Sequence, residues 1–261
     1  DFAKKYNAEY YTDYSKLLAR QDIDAVDIVS INSSHADLGL KAALADKHVL
    51  LEKPIDISVE KAEELVSKCR EKGLILSVIS QYRFGSAIKM AKAMLDQKML
   101  GKMAYAAVSV RKYRPDSHYE LYPWKKSKSE AGGGVLINQT IHYLDILIWL
   151  FGKPDSAYCV LRENKEGIED VALGIIRFEN GVLVIIETTN KSCINMGNSI
   201  EINGDKGCIG ICGGRITQKM TGHNKLQGLL KSKLHSLMPQ KEGGIKDNIS
   251  DFADSIFRLI F

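Results

Sequence analysis

The chain has 261 residues, of which 45% are apolar, and this is enough to bury sizeable cores in two domains. Its formal net charge of +4 is modest and does not indicate nucleic-acid binding. The five cysteines are odd in number, scattered and without the spacing of a zinc site, so we predict a reduced, cytoplasmic protein without a metal.

The first eighty residues alternate between apolar runs and helical patterns. Short connections join them, which implies a parallel sheet with right-handed crossovers. The loops at 32–35 and 52–54 should then lie at the same edge of the sheet and line one crevice. Strands are predicted at 25–31, 49–52 and 74–79, and helices at 34–46 and 58–73.

Glu52 and Lys53 close the second of these strands, and Pro54 favours an extended backbone at Lys53. Open α/β sheets bind ligands at this end of their strands. A lysine backed by an apolar strand can have its pKa lowered by desolvation, which makes proton transfer near neutral pH feasible. The alternative is a plain salt bridge between Glu52 and Lys53.

Three glycines, residues 132–134, precede a helical pattern that runs to Trp149 and that Gly152 is placed to end. Asn138 and His142 are four residues apart and should share one face of this helix. A rigid histidine beside a glycine loop suggests a catalytic site. The alternative is a hydrogen-bonded structural histidine after an ordinary turn.

The second half is rich in strand patterns. Runs at 169–178 and 182–189 flank Asn180-Gly181, the strongest short signal for a hairpin, and a domain change is expected near 81–84. Further strands at 199–202, 208–212 and 215–219 complete a mainly antiparallel sheet.

Five motifs, taken in order and spacing over nearly the whole chain, resemble the glucose-fructose oxidoreductase, inositol dehydrogenase and rhizopine catabolism (GFO/IDH/MocA) family. The strongest is the glycine-rich run that leads to His142. The motifs are Asn32-Ser33-Ser34-His35, Glu52-Lys53-Pro54, Gln81-Tyr82-Arg83-Phe84, Trp124-Lys125 and the run from Gly132 to Asp145.

The resemblance implies an α/β fold with two parts. Residues 1–82 would form a partial NAD(P)-binding Rossmann domain with a parallel sheet. Residues 83–261 would form a C-terminal α+β domain for substrate binding and oligomerisation, with a large, mostly antiparallel open sheet. The protein is then expected to be a homo-oligomer, a dimer or tetramer, without nucleic-acid or membrane partners.

The resemblance also implies roles for individual residues. Lys53 and His142 fall on the catalytic pair, and Asn138 falls where many members have an aspartate. An amide can orient a hydroxyl or the imidazole but cannot hold a proton as a carboxylate does. The residues expected to contact NAD or NADP are Asn32, Ser33, His35, Glu52, Lys53, Gln81, Trp124 and Lys125.

The implied reaction is hydride transfer between the nicotinamide and a hydroxyl or carbonyl of a sugar, cyclitol or nucleotide-sugar. His142 would act as the base, and Lys53 would stabilise the developing oxyanion. Two alternatives remain open: a glycoside hydrolase that uses NAD transiently, and a non-catalytic sugar- or cofactor-binding regulatory protein.

The sequence departs from the family at its ends. It has no Gly-x-Gly-x-x-Gly turn, and residues 1–6 read as the end of a helix, so we expect the first two Rossmann strands to be missing and cofactor binding to be weak or absent. Residues 247–261 read as an amphipathic helix that stops early. The leucines of 225–238 fit a surface helix, a flap over the substrate or a membrane-contacting helix.

Overall fold

The computed structural model describes residues 2–221, which form two compact units. The first unit comprises the residues up to 79 together with 129–132. The second comprises 80–128 and the residues from 133 onward. The helices expected at 225–238 and 247–261 lie outside the described residues.

The first unit contains a three-stranded parallel sheet of order β1-β2-β3. This confirms the predicted alternation of strand and helix, with each strand shorter than its apolar run. The elements of this region are α1 (Phe2–Lys5), α2 (Tyr14–Leu18), β1 (Ala25–Ile28), α3 (His35–Leu44), β2 (His48–Leu51), α4 (Val59–Glu71) and β3 (Leu76–Val78).

Local chemistry explains where α4 begins and ends. The Ser58 hydroxyl accepts a hydrogen bond from the Lys61 amide at 3.2 Å, as an N-cap does. Gly73 follows the helix with φ of +67°, a left-handed conformation that few other residues adopt without strain. Leu65 of α4 is fully buried with Val49 and Leu51 of β2, so the helix covers one face of the sheet.

The second unit contains a seven-stranded sheet of order β10-β9-β8-β4-β7-β6-β5. Only the central pair β4 and β7 is parallel, which confirms a mostly antiparallel sheet. The remaining elements are α5 (Ser86–Asp96), β4 (Met103–Arg111), α6 (Asp116–Leu121), α7 (Lys128–Ala131), α8 (Ile141–Phe151), β5 (Pro154–Glu163), β6 (Glu169–Phe178), β7 (Leu183–Thr189), β8 (Ser199–Gly204), β9 (Gly207–Cys212) and β10 (Arg215–Thr221).

The predicted hairpin at Asn180-Gly181 joins β6 to β7. Gly181 has φ of +86°, and the Asn180 side chain accepts a hydrogen bond from the Val182 amide at 3.1 Å. These two residues therefore supply the backbone conformation and the hydrogen bond that a tight turn requires.

The two faces of the large sheet differ. One face packs against α5 and α8 in a core that includes Met94, Ile146, Leu147 and Val184. The other face exposes apolar side chains in cross-strand register, and we call it the open face. Its main apolar residues are Tyr105, Tyr158, Val160, Leu173, Ile175, Leu183 and Ile185.

The helical run Lys128–Phe151 is the one described stretch that is long and apolar enough to cross a membrane by length and composition, with a mean hydropathy of 1.3. Its second half, however, contributes Tyr143, Ile146, Leu147 and Phe151 to the core beneath the large sheet. This packing is that of the core helix of a globular unit.

Candidate functional site

Polar side chains follow the carboxyl ends of β1 and β2 in the first unit. A 3-10 turn at Asn32–Ser34 comes after β1, and Glu52 and Lys53 come directly after β2. Asn32 is buried, and its amide donates a hydrogen bond to the Ala131 carbonyl at 2.8 Å. The Lys53–Pro54 peptide is cis. The site residues predicted for this unit thus share one edge of the parallel sheet.

The two loops are joined by the imidazole of His35, which is buried. Its Nδ1 lies 2.6 Å from the Pro54 carbonyl and its Nε2 lies 3.1 Å from the Ser30 carbonyl. The Ala36 amide also donates to Asp56 at 3.0 Å. The predicted meeting of the loops is confirmed, and this ring holds them together. Whether His35 also contacts a cofactor stays a prediction.

Two carboxylates accompany Lys53 at this edge. Glu52 accepts a hydrogen bond from the Lys53 amide at 3.2 Å. Burial raises the pKa of Asp27 on the neighbouring strand, and the charge of Glu52 raises it further. The two acidic side chains therefore influence each other, and negative charge is concentrated beside the start of the Lys53 loop.

In the second unit, Glu169 fixes the glycine turn and the start of the His142 helix. Its carboxylate accepts the Leu136 amide at 3.0 Å. A Cβ at Gly134 would lie 1.8 Å from the Glu169 carbonyl oxygen, so only glycine allows this approach. Sequence reasoning missed Glu169, because nothing in the sequence indicates a contact between residues 33 positions apart.

Asn138 also serves the turn. Its amide nitrogen lies 3.0 Å from the carbonyl oxygens of both Gly133 and Gly134. These hydrogen bonds satisfy two backbone acceptors and fix the side chain in one orientation. An ionised aspartate could not donate these hydrogen bonds, so the asparagine suits this backbone.

The helix does not begin as a regular α-helix. Leu136–Thr140 forms a π-helical turn, in which the Ile141 amide bonds to the Leu136 carbonyl. The buried Thr140 hydroxyl lies 2.6 Å from that of Thr188 and donates to the Val135 carbonyl at 3.1 Å. The sequence predicted an uninterrupted helix. The Thr140–Thr188 contact lies at the end of this π-helical turn. Such turns are frequent at functional sites.

The imidazole of His142 stacks on the ring of Tyr82, with centroids 4.6 Å apart and planes 20° apart. Tyr82 in turn meets the Tyr143 ring edge-on at 5.6 Å. Stacking of this kind restricts the rotation of both side chains. His142 is therefore a histidine held in one orientation by its neighbours, as the sequence led us to expect.

An ion pair holds the Tyr82 segment against α8. Arg83 forms two hydrogen bonds to Asp145, at 2.7 and 2.5 Å, and its guanidinium also lies 5.7 Å from the ring centroid of Trp149. The two-point geometry gives this pair directional strength. Arg83 and Asp145 were visible as parts of motifs, but the sequence did not show that they bind each other.

The residues predicted to contact the cofactor in the second unit lie in two segments. The side-chain oxygen of Gln81 is buried and has no hydrogen-bond partner among the described residues. Lys125 lies 4.4 Å from the ring centroid of Tyr122 and 5.3 Å from that of Trp124. Burial lowers the pKa of the Lys125 ammonium, and the positive charge of Arg114 lowers it further.

The structure thus gathers the predicted residues into separate groups. Asn32, Ser33, His35, Glu52 and Lys53 share the sheet edge of the first unit. The second unit carries the remaining five, and the pairing of Lys53 with His142 stays a prediction. The predicted site residues of the second unit are Gln81, Trp124, Lys125, Asn138 and His142.

Within residues 2–221 no group of acidic, histidine and cysteine side chains is arranged to hold a metal ion.

Two family models match the chain. Residues 1–80 match the NAD-binding Rossmann fold of the oxidoreductase family GFO/IDH/MocA, and residues 88–210 match a C-terminal domain of the same family. Together they cover most of the chain and meet where the structure passes from the first unit to the second.

Individual relatives agree with these matches. The chain is 32% identical to 1,5-anhydro-D-fructose reductase of Ensifer adhaerens over 66% of this chain and 52% of that protein. It is 25% identical to myo-inositol 2-dehydrogenase of Thermotoga maritima over 76% of this chain and 59% of that protein. The chain therefore spans little more than half the length of these relatives.

A solved structure shows the same fold. It is the WlbA dehydrogenase of Bordetella pertussis in complex with NADH and UDP-GlcNAcA, with a TM-score of 0.81, 25% identity, and coverage of 90% of this chain and 70% of that one. The chain belongs to the GFO/IDH/MocA family of NAD-binding oxidoreductases.

Proposed function

We propose that the protein is an NAD- or NADP-dependent dehydrogenase that acts on a hydroxyl or carbonyl group of a sugar, cyclitol or nucleotide-sugar. The observation that carries the proposal is the rigidly stacked imidazole of His142 on a helix anchored through Arg83 and Asp145. The relatives with matching domains are named as dehydrogenases and reductases of such compounds, which supports the substrate class.

Two features of the structure fit a bound dinucleotide. Asn32, Ser33, Glu52 and Lys53 follow the carboxyl ends of parallel strands, where such folds bind nucleotides. The buried Gln81 oxygen lacks a donor within the described chain, and a cofactor amide or hydroxyl would supply one. We assign these residues, with Trp124 and Lys125 at the nicotinamide end, to cofactor binding. His35 is assigned to cofactor binding as well, in addition to holding together the two loops of the first unit.

In the proposed reaction His142 removes the proton from the oxygen of the substrate hydroxyl while the hydride leaves the carbon that bears this hydroxyl. The ammonium of Lys53 stabilises the negative charge that develops on that oxygen. Asn138 keeps the glycine turn closed and orients the start of the helix. The nicotinamide, when bound, supplies the acceptor or donor of the hydride.

The test is hydride transfer by the full-length protein, followed by nicotinamide absorbance with panels of sugars, cyclitols and nucleotide-sugars. With an accepted substrate, His142→Ala should lower kcat by about a hundredfold or more while leaving the Kd for cofactor unchanged. Lys53→Met should also lower kcat and, because Lys53 is assigned to cofactor binding as well, should raise the Kd for cofactor. The matched control Lys41→Met, on the exposed side of α3, should change neither. Sugar binding without turnover in any panel would instead indicate a regulatory protein.

We also propose that the protein is a homo-oligomer, a dimer or tetramer, that pairs through the open face. Ile175 and Ile185 are about half exposed at the middle of this face. The charged pair Arg111–Glu187 on the same face is already neutralised within the chain. A second copy offers an equally apolar, charge-balanced surface, as a two-fold interface requires.

The cytoplasm is the proposed location. All five cysteines of the described chain are free thiols, which supports a reducing compartment.

A further inference from the structure

A group of basic side chains, two of them cations and one an imidazole, lies among aromatic rings in the second unit. Arg114 follows β4, His118 lies in α6, and Lys125 lies in the 3-10 turn at Pro123–Lys126. All three side chains are only partly exposed. Within residues 2–221 neither Arg114 nor Lys125 forms an ion pair with a carboxylate. We call these three residues the cationic cluster.

Aromatic rings shape the cationic cluster. The ammonium of Lys125 lies 4.4 Å from the ring centroid of Tyr122 and 5.3 Å from that of Trp124. The imidazole of His118 lies 5.3 Å from the rings of both Tyr119 and Tyr122. The rings of Tyr122 and Trp124 attract the Lys125 ammonium without neutralising its charge, so this charge can still attract an anion.

Positive charge is concentrated around His118 and Lys125. Burial lowers the pKa of His118, and the charges of Lys125 and Arg114 lower it further. Burial also lowers the pKa of Lys125, and the charge of Arg114 lowers it further. Like charges held together in this way disfavour each other's charged form, and an anion bound among them would relieve the repulsion.

Two acidic residues, Asp116 and Asp170, also act on this region through Tyr119. Burial raises the pKa of Tyr119, Arg114 lowers it, and Asp170 and Asp116 raise it. Asp170 is already paired with Arg162 at 2.9 Å. The neighbouring charges that shift the pKa of His118 are those of Lys125 and Arg114, and the one that shifts the pKa of Lys125 is that of Arg114.

We propose that the cationic cluster binds an anionic substituent, a carboxylate or phosphate, on the ring of the substrate, so that the protein acts on an acidic sugar. The inference rests on the proposed function, because Trp124 and Lys125 are assigned there to the nicotinamide end of the cofactor. Hydride transfer brings the substrate against that end, so a ligand beside Lys125 is the substrate. Flat aromatic rings suit the apolar face of a sugar ring, and Arg114 suits a two-oxygen anion.

The test uses Trp124 as the reporter. The chain has two tryptophans, so Trp149→Phe leaves Trp124 alone as the tryptophan fluorophore. In this background the full-length protein is titrated with D-glucuronate, D-glucose 6-phosphate and uncharged D-glucose at matched ionic strength. Both acids should quench the fluorescence saturably, and at least one should bind about tenfold more tightly than glucose.

Variants test whether the positive charge of Arg114 binds the acidic group. Arg114→Gln should raise the Kd for the acidic sugar about tenfold and leave that for glucose unchanged, whereas Arg114→Lys, which keeps the charge, should restore most of the affinity. The control is Lys126→Gln, an exposed lysine of the same turn, which should behave as the parent does. Thermal denaturation of each variant shows that it is folded.

Three results would overturn the inference: equal affinity for acidic and neutral sugars, no saturable quenching by either acid, or an effect of Arg114→Gln no larger than that of Lys126→Gln. Inorganic pyrophosphate is the remaining probe. If Arg114→Gln weakens pyrophosphate and NAD binding but not acidic-sugar binding, the cluster serves the cofactor and the inference is wrong. Tight binding of an acidic sugar without hydride transfer would contradict the proposed dehydrogenase function but would support the anion-binding site.

Discussion

At the scale of single residues, the orientation of His142 depends on a neighbour that the motif does not contain. Tyr82 lies 60 positions earlier in the chain, and its ring covers the imidazole. A base must be within hydrogen-bond reach of the proton that it removes, so the position of the imidazole matters as much as its basicity. Tyr82 is therefore a positioning residue for the proposed base.

Two replacements of Tyr82 should distinguish the contribution of its ring from that of its hydroxyl. Tyr82→Leu should lower kcat about tenfold because the stacking on His142 is lost, and Tyr82→Phe should retain most of the activity. Steady-state kinetics check this, with KM for the cofactor expected to stay constant in both variants. A parallel fall in kcat for the leucine and phenylalanine variants would assign the role to the hydroxyl instead.

The sequence indicated which residues belong to motifs, but it did not indicate which of them contact each other. Asn138 was expected to orient a substrate hydroxyl or the imidazole, which stays a prediction; in the structure its amide donates to the glycine turn, a contact that the sequence did not indicate. Arg83 and Asp145 pair across 62 positions, and Glu169 reaches Leu136 across 33. Such pairs depend on how strands and helices pack in three dimensions, which periodicity in one sequence does not report.

At the scale of elements, the join between the glycine turn and β6 determines where the His142 helix starts. Gly133 and Gly134 both approach Glu169, but differently. A Cβ at Gly133 would lie 3.1 Å from the end of the flexible carboxylate, whereas at Gly134 it would strike the backbone carbonyl at 1.8 Å. A side chain can move aside, but a paired strand cannot.

The two glycines therefore form a matched pair of variants. Gly134→Ala should lower the Tm by about 5 °C or more and reduce kcat, because the backbone must shift to admit the methyl group. Gly133→Ala should change the Tm by no more than about 2 °C, since the Glu169 side chain can yield. Thermal denaturation and hydride-transfer assays check both. Equal effects of the two substitutions would contradict the packing described.

The strand pair β4–β7 carries a pH-dependent contact. The hydrogen bond from Arg111 lowers the pKa of the Glu187 carboxyl, against the effect of burial, and Ser109 lowers it further. Because the folded pKa is depressed, this contribution to stability is fully present above the ordinary value of 4.5. It is lost as the pH falls through the lower pKa of the folded protein.

Arg111→Gln should therefore destabilise the protein at neutral pH and make its stability fall less steeply between about pH 5 and pH 3. The measurement is Tm against pH. The control is Lys153→Gln, which removes the exposed pair with Glu179. An acid limb of unchanged steepness in Arg111→Gln would show that the pair does not couple protonation to folding.

At the scale of the whole molecule, most of the architecture could be predicted. Strand and helix alternation, the cap at Ser58, and the Asn180-Gly181 hairpin were all visible, because each depends on local periodicity or turn chemistry. The parallel pairing of β4 with β7 in the middle of an antiparallel sheet was not, since it joins strands far apart in the chain. The return of residues 129–132 to the first unit was equally invisible.

The proposed assembly is tested at the same scale. Ile175→Glu places a charge in the middle of the open face and should convert the oligomer to monomers, because burying that charge would be costly. Light scattering on a size-exclusion column measures the mass. The matched control Val59→Glu, at an exposed position of α4, should leave it unchanged. A monomeric parent protein would contradict the assembly directly.

The π-helical turn at Leu136–Thr140 adds a consequence for the length of this segment. A π turn accommodates about one residue more than an α turn, and each residue of an α-helix advances the direction of the side chains by about 100°. Five residues in a π turn rotate through about the same angle as four in an α turn, so removal of one residue would permit a regular helix in which His142 keeps nearly its present direction relative to the glycine turn. What such a deletion can lose is a contact of the turn itself, since Asn138 and Thr140 both lie in it. The segment therefore tolerates the loss of one residue better than the loss of these contacts, and a one-residue deletion that spares both should keep the proposed base in its orientation.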